Sequence, residues 1–192
     1  MDTLKLTYRR HQITYKKRRR VPFGLLGLGV LVALAMLGGR ADAFMGYGPH
    51  TTFGSAGSAN GQFTKPLGVA VDDASEDVYV VDEGGKRVEE FSAEGGYLAQ
   101  FNGSDNPATP SGFEMPTAIA VDNSAGASKA DVYVVDSARN TVDKFSSSGA
   151  FVFELGSFAS KVIGVAVDNA GHLWVAEENK SVQEFDGSAK NA

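Results

Sequence analysis

The sequence predicts an all-β chain, a propeller-like array of about three four-stranded blades behind an N-terminal export segment. Three observations predict it. A run of small and branched residues closed by Asp recurs as Gly68-Val69-Ala70-Val71-Asp72, Ala118-Ile119-Ala120-Val121-Asp122 and Gly164-Val165-Ala166-Val167-Asp168. The Asp-to-Asp steps are 50 and 46 residues, the period of a propeller blade or a similar array. Each copy continues into a second apolar run and a third ending on an aromatic residue, and helical spacing is absent after residue 43.

The first run alternates small and branched side chains, which suits a strand crowded against its neighbours near a propeller axis. The second run, Val78-Tyr79-Val80-Val81, Val132-Tyr133-Val134-Val135 and Leu173-Trp174-Val175-Ala176, is continuously apolar. Such a strand is buried on both faces, here between adjacent blades. The third run ends at Phe91, Phe145 and Phe185, and a fourth follows in two copies, Tyr97 to Phe101 and Phe151 to Leu155, after the turn signals Glu94-Gly95-Gly96 and Ser148-Gly149. The blades therefore occupy about 64–101, 114–155 and 160–192.

These residues resemble the NHL repeat family, whose pattern is a Pro, a Gly-Val-Ala-Val-Asp strand, a Val-Tyr-Val-x-Asp strand, then Arg-Val and a closing Phe. Copy one matches through Pro66, Asp72, Tyr79, Asp82, Arg87, Val88 and Phe91. Copy two has Pro116, Asp122, Tyr133, Asp136, Val142 and Phe145, with Thr141 in place of the Arg. Copy three departs further, with Val162 for the Pro, Glu177 for the second Asp and Ser181 for the Arg, and it is one residue shorter before Phe185. The resemblance spans residues 51 to 185. It implies a propeller of about six blades, on a fold that hosts scaffolds, sensors, ligand binders and a few enzymes.

Three copies make half of such a ring, and two arrangements are open. Further blades lie outside this sequence, or two copies join as a dimeric six-bladed ring, each supplying the other's missing strand. Phe53-Gly54-Ser55 matches the linker start Leu155-Gly156-Ser157, so residues 51 to 53 would be a donated outer strand.

The amino terminus carries eight Lys and Arg in its first twenty residues against one acid, Asp2. An uncharged stretch follows from Val21 to Gly39, and Ala41-Asp42-Ala43 fits a signal peptidase. The expectation is a 1–43 signal peptide cut between Ala43 and Phe44, leaving 44–192 as a secreted or extracytoplasmic propeller segment. The alternative is a membrane anchor through the helix 21–39, whose nineteen residues approach the roughly 20 a bilayer requires. Residues 44–192 hold nine basic against twenty-one acidic residues, a net of −12, which repels phosphate backbones and excludes nucleic acid as the expected partner. With no cysteine, neither disulfides nor thiolate metal sites exist.

Asp82, Asp136 and Glu177 share one repeat position and are the candidate ring of carboxylates at one end of the channel. Their simpler reading is as turn caps accepting backbone N–H groups. Asp72, Asp122 and Asp168 read as hairpin-turn residues. Four acids within Asp72 to Asp77 raise calcium, though the spacing matches no EF-hand loop. His50 and His172 alone do not make a three-ligand zinc site without carboxylates, and no Gly-x-Ser-x-Gly turn occurs. No cofactor is expected. Tyr79, Tyr133 and Trp174 share a position that favours interblade packing over a stacking surface. The longest linker, Asn102 to Met115, is the candidate binding loop, through Asn102, Asp105, Asn106 and Phe113. Ser124 to Ala130 reads as a tolerated insertion, and Asn102-Gly103-Ser104 and Asn179-Lys180-Ser181 are glycosylation sequons. The expected function is a non-catalytic scaffold binding an unknown protein or small molecule. The alternative is a hydrolase or lyase using Asp82, Asp136 and Glu177 at the channel.

Overall fold

Branched and aromatic residues in five- and six-residue runs, punctuated by Asp, Gly and Ser, leave the backbone few options besides short strands and tight turns. The computed structural model describes residues 3–8, 11–16, 51–156 and 158–186. The chain separates into two units, Met1–Gly48 and Pro49–Ala192. In the first, β1 (Thr3–Tyr8) and β2 (His11–Lys16) pair antiparallel, with Thr3 opposite Lys16 and Tyr8 opposite His11. These strands were not foreseen in the basic flank; the period-two alternation of Leu4 and Leu6 with Lys5 and Thr7 is their sequence signal. The apolar stretch 21–39 and the Ala43/Phe44 cleavage site lie outside the described residues. Among the described residues no helix is long and apolar enough to cross a membrane.

In the second unit, a two-residue parallel pair, β3 (Ser55–Ala56) and β4 (Gln62–Phe63), precedes the blades. Blade A is an antiparallel meander of β5 (Pro66–Val71), β6 (Val78–Asp82), β7 (Arg87–Phe91) and β8 (Tyr97–Phe101). Blade B repeats it with β9 (Pro116–Val121), β10 (Val132–Asp136), β11 (Thr141–Phe145) and β12 (Phe151–Leu155). Blade C has three strands among the described residues, β13 (Val162–Val167), β14 (Leu173–Glu177) and β15 (Val182–Phe185). The first strands β5, β9 and β13 are neighbours in turn, so the blades fan outward from a common inner edge.

The turns repeat as faithfully as the strands. Between first and second strands, Asp72, Asp122 and Asp168 each use Oδ1 to accept the N–H two residues on, at 2.8, 2.9 and 2.8 Å. The residue just before the second strand's lead-in then turns left-handed: Glu76 (φ 63°), Ala130 (φ 67°) and Gly171 (φ 87°). The expected hairpin role of these aspartates is what the geometry shows. The segment Ser124 to Ala130, which makes this hairpin of blade B four residues longer than that of blade A, is less idle than expected, since Ser124 is buried and Ser128 Oγ accepts from Lys144 Nζ at 2.8 Å.

The core sits between blades, not within them. Tyr79, Val81 and Val88 of blade A meet Ile119, Val121, Val132, Val134 and Phe145 of blade B. Tyr133, Val135 and Val142 of blade B meet Leu173 and Val175 of blade C, with Val165, Val167 and Phe185 packed on. Burying each such side chain is worth about 1.5–3 kcal/mol. The expectation that second strands are covered on both faces holds fully for β10 and largely for β6, while in β14 Trp174 is exposed.

Candidate functional site

The three carboxylates at the ends of the second strands occupy one seat. Asp82 is fully buried; its Oδ1 accepts the backbone N–H of Thr64 at 3.0 Å and of Lys65 at 2.6 Å. Asp136, also fully buried, accepts from Glu114 N at 2.7 Å and Met115 N at 3.0 Å, with Ala138 N at 3.2 Å behind it. Glu177 accepts from Ser160 N at 2.7 Å, Ser181 Oγ at 2.9 Å and Gln183 Nε2 at 2.5 Å. The Gln183 amide leads in holding the Glu177 carboxyl below the usual carboxylate range, with Ser181 and backbone donors adding to it. Each carboxylate therefore ties the linker entering its own blade to the second strand. Capping is the observed task, and the donors come from the linker as well as from the following turn.

Beside each of the first two caps lies a buried ion cluster around the third strand, of which the sequence reading named only Arg87, as a residue of the repeat pattern. Arg87 donates to the carbonyls of Ser58, Ala59 and Gln62 and pairs with Glu89 at 2.5 Å. Glu89 Oε2 in turn accepts the Gly61 N–H at 2.7 Å. In blade B, Arg139 bridges Asp143, at 3.3 Å, and Glu154. Burial pushes the Asp143 carboxyl up to about 7, despite the opposing pull of Arg139. Lys144 pairs with Asp131 at 2.8 Å and stands over the Tyr133 ring, 5.2 Å from its centroid. The missed signal was the charge alternating with apolar residues in Arg87-Val88-Glu89 and Val142-Asp143-Lys144.

The candidate binding loop is fastened to blade B. Asn106 is buried and donates from Nδ2 to Glu154 at 3.0 Å, while Asp105 Oδ2 accepts the Phe151 N–H at 2.6 Å. Phe113 is buried against Phe101 and Phe145. Exposure was expected for all four residues, but only Asn102 and Asp105 face solvent. Asn102, with Gly85, Arg87, Gln100 and Phe101, lines a polar cleft of about 370 Å³ between the turn of blade A and the linker leaving it.

Among the described residues, three metal-ligating side chains converge at one place only, where the ligand atoms of Asp168, His172 and Glu184 lie within 4.8 Å of one another. His172 Nδ1 is 3.1 Å from Asp168 Oδ2 and 3.3 Å from Glu184 Oε1, and Trp174 Nε1 donates to the same Asp168 oxygen at 3.2 Å. Hydrogen bonds, led by the His172 backbone N–H, hold the Asp168 carboxyl down to about 2. The acids at 72–77 do not converge; Asp72 is buried in its turn while Asp73 and Glu76 point to solvent.

No protein-family profile matches the chain. Over 130 residues, 67% of this chain, it is 33% identical to Protein brain tumor of Drosophila melanogaster, and the match spans 12% of that protein. Among solved structures it is similar to a chain of a nidogen/laminin complex, with a TM-score of 0.51 and 19% identity over 65% of this chain and 46% of that one. A gluconolactonase from Xanthomonas campestris aligns with a TM-score of 0.45 and 18% identity over 60% of this chain and 36% of that one.

Proposed function

That this chain belongs to the NHL-repeat family of β-propellers is the premise from which we propose its function: an exported, non-catalytic scaffold whose blade edges bind a protein or small-molecule ligand. The observation that carries the reading is the fate of the strand-two carboxylates. Asp82, Asp136 and Glu177, the residues a channel-based hydrolase or lyase would rely on, already accept hydrogen bonds from the protein's own backbone and side chains. A carboxylate so engaged is poorly placed to take a proton from a substrate, which requires a general base within hydrogen-bond reach of that proton. Rigid caps of this kind serve recognition instead, by holding turns and linkers in fixed positions on a stiff frame.

The polar cleft lined by Gln100, Asn102 and Arg87 is the recognition surface on this reading. Export follows from the basic flank, the apolar stretch and the Ala41-Asp42-Ala43 site. The test is a peptide library panned on the immobilised full chain, with Gln100→Ala and Asn102→Ala combined as the probe variant. Selected peptides should bind the variant at least ten-fold more weakly, with its far-ultraviolet spectrum unchanged. Turnover of generic ester or lactone substrates that disappears in a folded Asp82→Asn, Asp136→Asn, Glu177→Gln variant would replace the scaffold by an enzyme.

A further inference from the structure

Asp168, His172 and Glu184 come from three places in blade C: the turn after β13, the lead-in to β14, and β15. The turn fixes Asp168, whose Oδ1 accepts the backbone N–H of Ala170 at 2.8 Å and of His172 at 3.0 Å. Its Oδ2 is left facing the imidazole, with Trp174 Nε1 donating to it at 3.2 Å. The strand register sets Glu184 opposite Trp174, which brings its Oε1 to the same imidazole nitrogen. All three side chains belong to one blade, so the cluster is complete whatever lies against that blade.

Geometry sets the cluster apart from an ordinary surface ion pair. His172 Nδ1 lies 3.1 Å from Asp168 Oδ2 and 3.3 Å from Glu184 Oε1, and the three atoms are all within 4.8 Å of one another. Ligand atoms bound at about 2.0–2.1 Å to a tetrahedral zinc ion lie about 3.3–3.4 Å apart. A small closing movement of the half-exposed Glu184 side chain is enough to seat an ion among them.

The other blades show what this seat otherwise holds. The register pairs Tyr79 with Glu90, Tyr133 with Lys144 and Trp174 with Glu184, and Asp77, Asp131 and His172 each directly precede the second strand. In blade B the protein's own cation fills the seat, with Lys144 Nζ 2.8 Å from Asp131 Oδ2. In blade A the Tyr79 hydroxyl donates to Glu90 at 3.0 Å. Blade C has neither device: Glu184 stands in place of the lysine, an indole that turns to Asp168 in place of the tyrosine, and an imidazole where the others carry Asp. One imidazole with two carboxylates suits zinc, whereas magnesium and calcium favour oxygen ligands alone.

We propose that Asp168 Oδ2, His172 Nδ1 and Glu184 Oε1 bind one zinc ion, with a fourth position left for water or for a donor atom of a ligand. Three protein ligands with one open position is the arrangement of zinc sites that meet exchangeable partners. The imidazole keeps its proton on Nε2 and offers the Nδ1 lone pair, and any proton on Nδ1 is released to solvent as the ion enters. Trp174 supplies the outer hydrogen bond that orients a ligating carboxylate.

Trp174 is the one tryptophan of the chain, and its hydrogen bond to Asp168 makes its fluorescence a direct reading of the site. The untagged 192-residue chain, stripped with chelator and kept in mild detergent, should give a saturable fluorescence change with zinc chloride at neutral pH, and equilibrium dialysis should find one ion per chain. His172→Ala and Glu184→Gln should each weaken zinc binding about ten-fold or more. Glu184→Lys, which gives blade C the residue blade B carries at that position, should abolish binding with the far-ultraviolet spectrum unchanged. His50→Ala should bind as the parent does, and a large excess of magnesium or calcium should not compete. The absence of saturable binding at millimolar zinc, binding that survives all three substitutions in blade C, or equal competition by magnesium or calcium would each overturn the proposal.

Discussion

Asp136 and Asp143, seven residues apart and both fully buried, are accommodated in different ways. Asp136 is fixed by several backbone N–H groups, and hydrogen bonds to an ionised group contribute about 1.5–3 kcal/mol each, with further cost when donors are left unsatisfied. Asp136→Ala should therefore lower the unfolding free energy by about 3 kcal/mol or more in urea titrations, with Asp136→Asn intermediate. Asp143 has one carboxylate oxygen without a hydrogen-bond partner, and burial raises its folded-state pKa to about 7. The unfolded value is near 3.9, so between these two the folded state binds the extra proton. The stability this group contributes is fully present below the unfolded pKa and is lost as pH rises through about 7. Asp143→Asn should accordingly raise the urea midpoint at pH 8 and change it little near pH 4; an equal shift at both would contradict the raised pKa. The shared position of Asp82, Asp136 and Glu177 was legible in the sequence, because repeats align it. Their donors were not, since Thr64, Glu114 and Ser160 lie 17 to 22 residues upstream, in linkers of unequal length and composition.

Each strand-three phenylalanine is held by an aromatic from the linker before it. Phe63 packs on Phe91 at 5.5 Å, Phe113 on Phe145 at 5.6 Å and Phe158 on Phe185 at 5.8 Å. The closing Phe residues were visible from the repeat, whereas the linker partners were not: Phe113 looked like a loop residue available for binding because nothing local distinguishes a buried loop aromatic from an exposed one. The turn before the third strand shows what spacing does reveal. Blade C is one residue shorter there, and the left-handed residue falls three positions after Glu177, at Lys180, where Lys86 and Asn140 fall four after Asp82 and Asp136. Phe145 touches Phe101, Phe113 and Phe151 at once. Phe145→Ala should cost about 3–5 kcal/mol, and Phe185→Ala, half-buried beside Phe158, distinctly less; equal losses by chemical denaturation would show that the aromatic clusters are not the packing unit. Gly149 combines φ +77° with a Cβ position 2.9 Å from Phe101. Gly149→Ala should therefore lower the melting temperature even though the added methyl is small.

At the scale of the whole chain, charge and shape pull apart. Residues 44–192 carry nine basic and twenty-one acidic residues, and four of the basic ones are already paired: Arg87, Arg139 and Lys144 lie in buried pairs, and Lys65 pairs with Glu83 at 3.0 Å. The remaining surface is a net anion whose self-repulsion opposes the compact state and which attracts no phosphate backbone. Both consequences depend on ionic strength, and in a direction opposite to that of a nucleic-acid binder. Raising salt from about 20 to about 200 mM shortens the screening length several-fold, so the melting temperature should rise by a few degrees as repulsion is screened. A labelled single-stranded RNA should show no retention at either salt concentration. A melting temperature that falls with salt would mean that the ion pairs dominate the global repulsion. An RNA affinity that drops steeply with salt would mean that the remaining cations are gathered on one face, and the acidic total would then describe the wrong face of the blades.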